Sequence, residues 1–224
     1  MKFDIITIFP DFFDSFKKES IIARALKNEL IEIKINDLRK WSKDKHKTVD
    51  DKPYGGGRGM VMKVEPIYQA VKDLKKKTRT RKRKVILFSP RGKRFNQKTA
   101  FSLSKLKHLI LICGRYEGID ERVARHIADQ TISIGDYVLM GGEIPAMILI
   151  ETITRLIPGV LGKSELLKER ITKKRGFIEY PQYTRPEVFS PKKEVKWRVP
   201  KVLISGNHKE IEKWREKRAK SIGN

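Results

Sequence analysis

Cysteine is almost absent from this chain of 224 residues. Cys113 stands alone, so no internal disulfide can form and no Cys-rich metal cluster can be built. That usage suits a reducing, cytoplasmic setting. A clean apolar run is missing too: residues 138–162 are interrupted by Glu143, Pro145, Glu151, Arg155 and Pro158, which argues against a membrane span. The apolar start contains Asp4, Pro10 and Asp11 and lacks the basic lead of a signal peptide. There is no Walker loop, no His-Glu-x-x-His, no Cys-x-x-Cys and no Gly-x-Ser-x-Gly, which removes metal hydrolases, P-loop enzymes and the common serine hydrolases. Acidic side chains are scarce, with 27 Asp and Glu against 51 Lys and Arg, a formal charge of +24. Such a field favours a polyanion, either nucleic acid or an anionic membrane surface. A generally basic host proteome would produce the same total.

With 39% hydrophobic residues the chain can bury a core, and its length fits one or two domains. Residues 3–9 are dense in Ile and Phe and predict a strand, and Phe12, Phe16, Ile22, Leu26 and Leu30 recur at helical spacing. Further strands are expected at 31–35, 85–89, 109–113 and 131–134, with helices at 66–77, 96–106, 120–128 and 143–156. Alternating strands and helices imply an α/β domain with a largely parallel sheet, whose ligands gather at the carboxyl ends of the strands. The main domain is expected over 1–162, a linker or lid over 163–200, and a short basic helical extension over 201–224. The one low-complexity tract is Lys75 to Lys84, basic except at Thr78 and Thr80.

Three glycine-containing loops stand where a ligand is expected. Gly55-Gly56-Gly57-Arg58-Gly59 misses the dinucleotide pattern, but its bare backbone can lie against a flat or phosphorylated ligand; a flexible turn is the competing explanation. Cys113 to Arg122 follows a strand, with Gly114 permitting close approach and Glu117 able to accept from an amine or ribose, while Asp120 suits a helix cap. Ile134 to Pro145 sets apolar side chains among Gly135, Gly141 and Gly142, an arrangement that can sandwich a heterocycle.

The segments 53–57, 113–122, 134–145, 157–162, 180–186 and 203–208 closely resemble bacterial tRNA (guanine-N1)-methyltransferase, in order and spacing, from residue 1 to about 218. The resemblance implies the SPOUT class: an α/β fold, mostly parallel sheet flanked by helices, with a C-terminal trefoil knot that general topology rules would not suggest. It implies a homodimer, S-adenosylmethionine as methyl donor, and tRNA as substrate, methylated at N1 of the guanine on the 3′ side of the anticodon. The donor would lie against Ser89, Pro90, Gly114, Tyr116, Glu117, Ile134, Gly135, Asp136, Tyr137, Val138, Leu139, Gly141, Gly142 and Pro145. His46, Asp50, Gly56, Gly57, Arg58 and Gly59 would face the target guanine. The family is reported to need Mg2+, for which no carboxylate cluster supplies ligands.

For catalysis the resemblance implies a carboxylate that removes the N1 proton and an arginine that stabilises charge on O6. Arg155 matches the arginine, although an i,i+4 pair with Glu151 would also account for it. The family's Asp in the lid is replaced, and Glu169 is the candidate base with Glu165 second; a solvated lid charge is the plain alternative. The family usually continues into a longer tRNA-gripping helical domain, whereas this match ends soon after Trp214. Two other functions stay open: a non-catalytic tRNA-binding protein of this fold, and a SPOUT methyltransferase acting at another RNA position.

Overall fold

Apolar side chains alternate along the strands, and that period places a core on each face of one sheet. The structure, a computed structural model, describes residues 1–78, 80–162, 171–172 and 176–222. Its strands begin with β1 (Lys2–Thr7), β2 (Glu32–Asp37), β3 (Asp50–Asp51), β4 (Val61–Met62), β5 (Arg83–Arg94), β6 (His108–Ile112) and β7 (Gln130–Ser133). The helices between them are α1 (Asp14–Lys18), α2 (Ser20–Lys27), α3 (Val64–Lys77), α4 (Gln97–Leu103), α5 (Glu121–His126) and α6 (Glu143–Thr154). Five strands form one sheet in the order β2-β1-β6-β5-β7, with every neighbouring pair parallel. This is the expected α/β class.

Phe3, Ile5, Ile86, Leu109 and Leu111 join residues of α2, α4 and α6 in one cluster. Ile6, Val85, Leu87, Ile110 and Ile112 join α3 and α5 in the other. The helix expected across residues 12–30 is instead a 3-10 turn, Pro10–Phe13, followed by α1 and α2. Glu19 is extended and Ser20 has φ 52° at the break. Phe13 and Ile22 are nine positions apart, about two and a half turns, so an unbroken helix would aim them to opposite sides. The break lets both reach the same core.

Strand β5 runs further than its apolar pattern suggests. Ile132 lies opposite both Phe88 and Lys93, so residues 89–92 bulge from the ladder. A Cβ on Gly92 would come within 2.6 Å of the Ile132 backbone. The bulge holds Ser89 and Pro90 at the carboxyl edge of the sheet.

Contacts divide the chain into Met1–Ser164 and Glu165–Asn224. The second unit contains a hairpin of Val188–Lys192 with Val195–Arg198, and a strand Gly176–Glu179 that pairs with Ile171–Thr172 and Lys220–Ile222. The expected basic helix is present as His208–Arg218, with the Asn207 side chain accepting from the Glu210 N–H at 3.3 Å. Trp214 meets Tyr183 edge to face, ring centres 6.3 Å apart. None of the described helices is long and apolar enough to cross a membrane.

Asp4, fully buried between β2 and β6, accepts from His108 Nε2 at 2.8 Å and from Asn36 Nδ2 at 3.1 Å, and pairs with Lys2 Nζ at 3.0 Å. Burial alone would raise its pKa, but these bonds and the lysine charge outweigh it and hold the carboxyl below its ordinary value. A depressed folded-state pKa contributes stability above the unfolded value, near pH 4, that disappears as the pH falls through the folded value. Urea denaturation between pH 7 and pH 3 should show a steeper loss of stability for the natural chain than for Asp4→Asn.

Candidate functional site: a glycine-lined cleft at the strand ends

Three loops leave the carboxyl ends of neighbouring strands and enclose a cleft of about 540 Å³, a volume that suits a nucleoside-sized ligand. Ser89 and Pro90 come from the β5 bulge, and Gly114, Tyr116 and Glu117 from the turn after β6. Ile134, Tyr137, Val138, Leu139, Gly141 and Gly142 come from the loop after β7, and Pro145 from the first turn of α6. Gly135 and Asp136 stand outside the lining. Gly135 is buried, its carbonyl accepting from the Ser133 hydroxyl at 2.9 Å, and Asp136 turns outward to Arg94 at 3.0 Å.

Glycine is required where two of these loops touch. The Gly142 N–H donates to the Gly114 carbonyl at 2.9 Å, and a Cβ on Gly142 would lie 2.6 Å from the Cys113 Cα. Backbone therefore forms much of the wall, and its polar groups are available to an edge of a flat ligand.

A pair that braces the wall is not apparent from the sequence. Glu143, fully buried at the start of α6, accepts from the Thr7 hydroxyl at 2.7 Å and from Arg115 Nε at 2.9 Å. Arg115 also lies over the rings of Phe9 and Phe12, 4.6 and 5.6 Å from their centres. Both residues fall inside the glycine-rich motifs, but Thr7 is 136 positions away from Glu143, and no local signal connects them. Burial, with the Glu143 charge second, pushes the Cys113 thiol well above its ordinary pKa, which suits a packing residue and not a nucleophile.

The residues expected to face a substrate lie beside this cleft. Strands β3 and β4 form a small antiparallel pair that carries the glycine loop. Its far end is sewn to the turn after β6: the Met62 N–H donates to the Gly118 carbonyl, the Asp120 N–H to the Met62 carbonyl and the Glu117 N–H to the Met60 carbonyl, each at 3.0 Å. A Cβ on Gly59 would meet Glu117 Cγ at 2.5 Å, while Gly56, Gly57 and Arg58 are exposed. Asp50 faces Tyr116, whose phenol is pushed up first by burial and then by the Asp50 charge. His46 is exposed on a turn organised by Asp44, which accepts the His46 N–H at 2.9 Å and also bonds Ser42 and Thr48. These bonds, that of Ser42 foremost, hold the Asp44 carboxyl well below the usual carboxylate range.

Arg155 follows the last turn of α6, exposed, with its N–H on the Glu151 carbonyl at 3.2 Å. It does not line the cleft. Gly142 and Arg155 stand at opposite ends of a helix of 12 residues, about 18 Å long at 1.5 Å per residue. Glu165 and Glu169 lie outside the described residues. Among the described residues no group of three or more His, Cys, Asp or Glu side chains is placed to hold a metal ion.

The sequence pattern described as tRNA (Guanine-1)-methyltransferase TrmD matches residues 1–222. The chain belongs to this methyltransferase family. It is 53% identical to the tRNA (guanine-N(1)-)-methyltransferase of Dictyoglomus turgidum over 98% of its own length and 85% of the relative's. For the proteins of the same description from Ruminiclostridium cellulolyticum and Listeria monocytogenes the identities are 52% and 47%, covering 96% and 97% of this chain and 89% and 86% of theirs. A member of a methyltransferase family needs a methyl donor.

The Glu143–Arg115 pair is the internal brace of the glycine-lined cleft. Removing Glu143 leaves the buried Thr7 hydroxyl without its acceptor, at a cost of about 1–3 kcal/mol, while the partly exposed Arg115 can turn to water. Glu143→Ala should lower the unfolding free energy in urea by that order, more than Glu143→Gln, which keeps an acceptor for Thr7.

Proposed function

We propose that the chain methylates N1 of the guanine on the 3′ side of the tRNA anticodon, with S-adenosylmethionine as the donor. The observation that carries this is the cleft itself, built from two of the family-like segments, 113–122 and 134–145, together with the β5 bulge, and walled by backbone at Gly114, Gly141 and Gly142. The fit is chemical as well as spatial. Peptide groups can read the edge of an adenine, Leu139 and Pro145 offer apolar walls, and Glu117 offers an acceptor for a ribose or an amine. When bound, S-adenosylmethionine supplies a methyl group on a positively charged sulfur.

The chain's own work is to prepare the guanine. N1 carries a proton at neutral pH and becomes nucleophilic as that proton leaves. Glu169 is assigned as the general base that takes it, with Glu165 second, and Arg155 as the group that stabilises charge on O6. His46, Asp50 and the loop Gly56 to Gly59 are assigned to the guanine and its neighbours. The hydrogen bonds between Met60–Met62 and Glu117–Asp120 keep that loop beside the donor cleft.

The distance along α6 supports a homodimer. Arg155 is about a helix length from the donor end of its own cleft, so the site is completed by a second copy. Exposed Val138, Met140, Ile144 and Ile148, on the loop before α6 and on its first turns, supply an apolar surface for such a contact. The same reading gives the C-terminal part of the α/β domain the trefoil knot of the SPOUT class, makes residues 163–200 a lid and 201–224 an RNA-gripping extension, and places the protein in the cytoplasm. No residue is assigned to Mg2+.

Labelled donor and unmodified tRNA with guanine after the anticodon should yield 1-methylguanosine on nucleoside analysis. Glu169→Gln should lower single-turnover methylation about 10²- to 10⁴-fold while leaving donor affinity unchanged. Unaltered turnover would remove Glu169 as the base. Product on a ribose or a uracil would assign the protein to a different branch of the class, and binding without product would make it an RNA-binding protein.

A further inference from the structure

We propose that the groove between α3 and α5, together with the basic tract after α3, is a docking track for an RNA phosphate backbone, distinct from the cleft that handles the target base. It deepens the tRNA reading above and rests on it. A second concavity, of about 370 Å³, opens here and is lined by Tyr68, Val71, Lys72, Lys75, Lys76, His126 and Ile127. Ile67, Ala70 and Leu74 bury the opposite stripe of α3 against the sheet, which leaves Tyr68, Lys72 and Lys76 facing outward. The Lys72 ammonium lies over the Tyr68 ring, 5.8 Å from its centre.

The tract that follows is folded back beside the groove. Arg83 Nη1 donates to the carbonyls of Lys75 and Thr78 at 3.0 and 2.9 Å, closing the end of α3. The Lys107 N–H donates to the Lys82 carbonyl at 2.9 Å, which ties the tract to the start of β6. Lysines in the last turn of a helix complement its dipole, but that does not account for Lys72, Arg81 or Lys82.

Carboxylates nearby have other partners. Asp73 accepts from Trp41 Nε1 at 2.8 Å, Asp129 from the Val85 N–H at 2.7 Å, and Asp4 is buried under Lys2 and His108. Among the described residues no carboxylate oxygen comes within 4.0 Å of the charged nitrogens of Lys72, Lys75, Lys76, Lys77, Arg81 or Lys82. A concentration of cations left unneutralised calls for an external polyanion.

Geometry favours a nucleic acid. The tract stands at the amino end of β5 and the donor cleft at its carboxyl end. The five steps from Arg83 to Phe88 span roughly 17 Å of strand, a distance that a stretch of several nucleotides bridges. A polymer with evenly spaced charges can occupy the track while presenting a base to the cleft. His126, at the end of α5, and Tyr68 add a donor and a ring face for a sugar or base along the way.

The test is the salt dependence of binding to unmodified tRNA, measured by fluorescence anisotropy between 50 and 300 mM NaCl. For Lys72→Ala/Lys75→Ala/Lys76→Ala the slope of log K against log salt should become shallower by about 2 to 3, at about 0.7 to 0.9 for each phosphate no longer neutralised. Donor affinity should be unchanged, which also reports that the variant is folded. Lys18→Ala/Lys27→Ala/Lys98→Ala removes the same charge from α1, α2 and α4 on the other face of the sheet and should change the slope by less than 1. Equal slopes for the two triple variants would overturn the track. So would a loss confined to polyglutamate or to anionic phosphatidylserine vesicles with tRNA binding intact. A shallower slope in the first variant from a parent protein that forms no 1-methylguanosine would leave the track standing and overturn the catalytic reading.

Discussion

One buried carboxylate holds the site together. Glu143 sits at the first turn of α6, where the helix dipole favours a negative charge, and it is reached by Thr7 from the end of β1 and by Arg115 from the turn after β6. The same residue terminates the loop that follows β7. Through it the ends of separate strands acquire one geometry, and the Gly142–Gly114 backbone contact brings two of the loops to within hydrogen-bond distance. A cleft walled by peptide groups requires this kind of support, because bare backbone has no side chains of its own to fix its position.

Charge and chemistry are kept apart in the fold. Parallel strands send all their carboxyl ends to one edge, and the glycine loops collect there. The opposite edge receives the chain just before β5 and β6, and the unneutralised lysines collect there. Helices α3 and α5 connect the two edges on one face, while α2, α4 and α6 fill the other. Under the proposed function, a base would be handled in the cleft and a backbone held by the cations at the other edge.

Much of this was legible from local pattern. Short, dense apolar runs at 3–9, 85–89 and 109–113 marked buried strands, and the glycine-containing loops at 113–122 and 134–145 marked two walls of the cleft. Long-range links were not legible: Thr7 and Arg115 meet Glu143 because of topology, and neither residue announces that partner locally. The break at Glu19 and Ser20 follows from where Phe13 and Ile22 must point, which is a tertiary demand. Strand β5 looked shorter because Pro90 and Gly92 read as a loop, yet Gly92 is what lets the bulge pass the Ile132 backbone. The hairpin at 188–198 was missed because its side chains are nearly all exposed, so alternation between buried and polar positions is absent. At the site, Gly135 and Asp136 share a motif with the cleft residues but not the lining, since Asp136 faces Arg94 instead.

The most direct measurement is the amide NMR spectrum of the labelled protein during addition of S-adenosylmethionine. The largest shifts should fall on Gly114, Tyr116, Ile134, Leu139, Gly141 and Gly142, with little change at Lys72, Lys75 or Lys76. Shifts confined to the α3–α5 groove, or the absence of any at the three loops while the donor binds, would contradict a donor site built from these glycines.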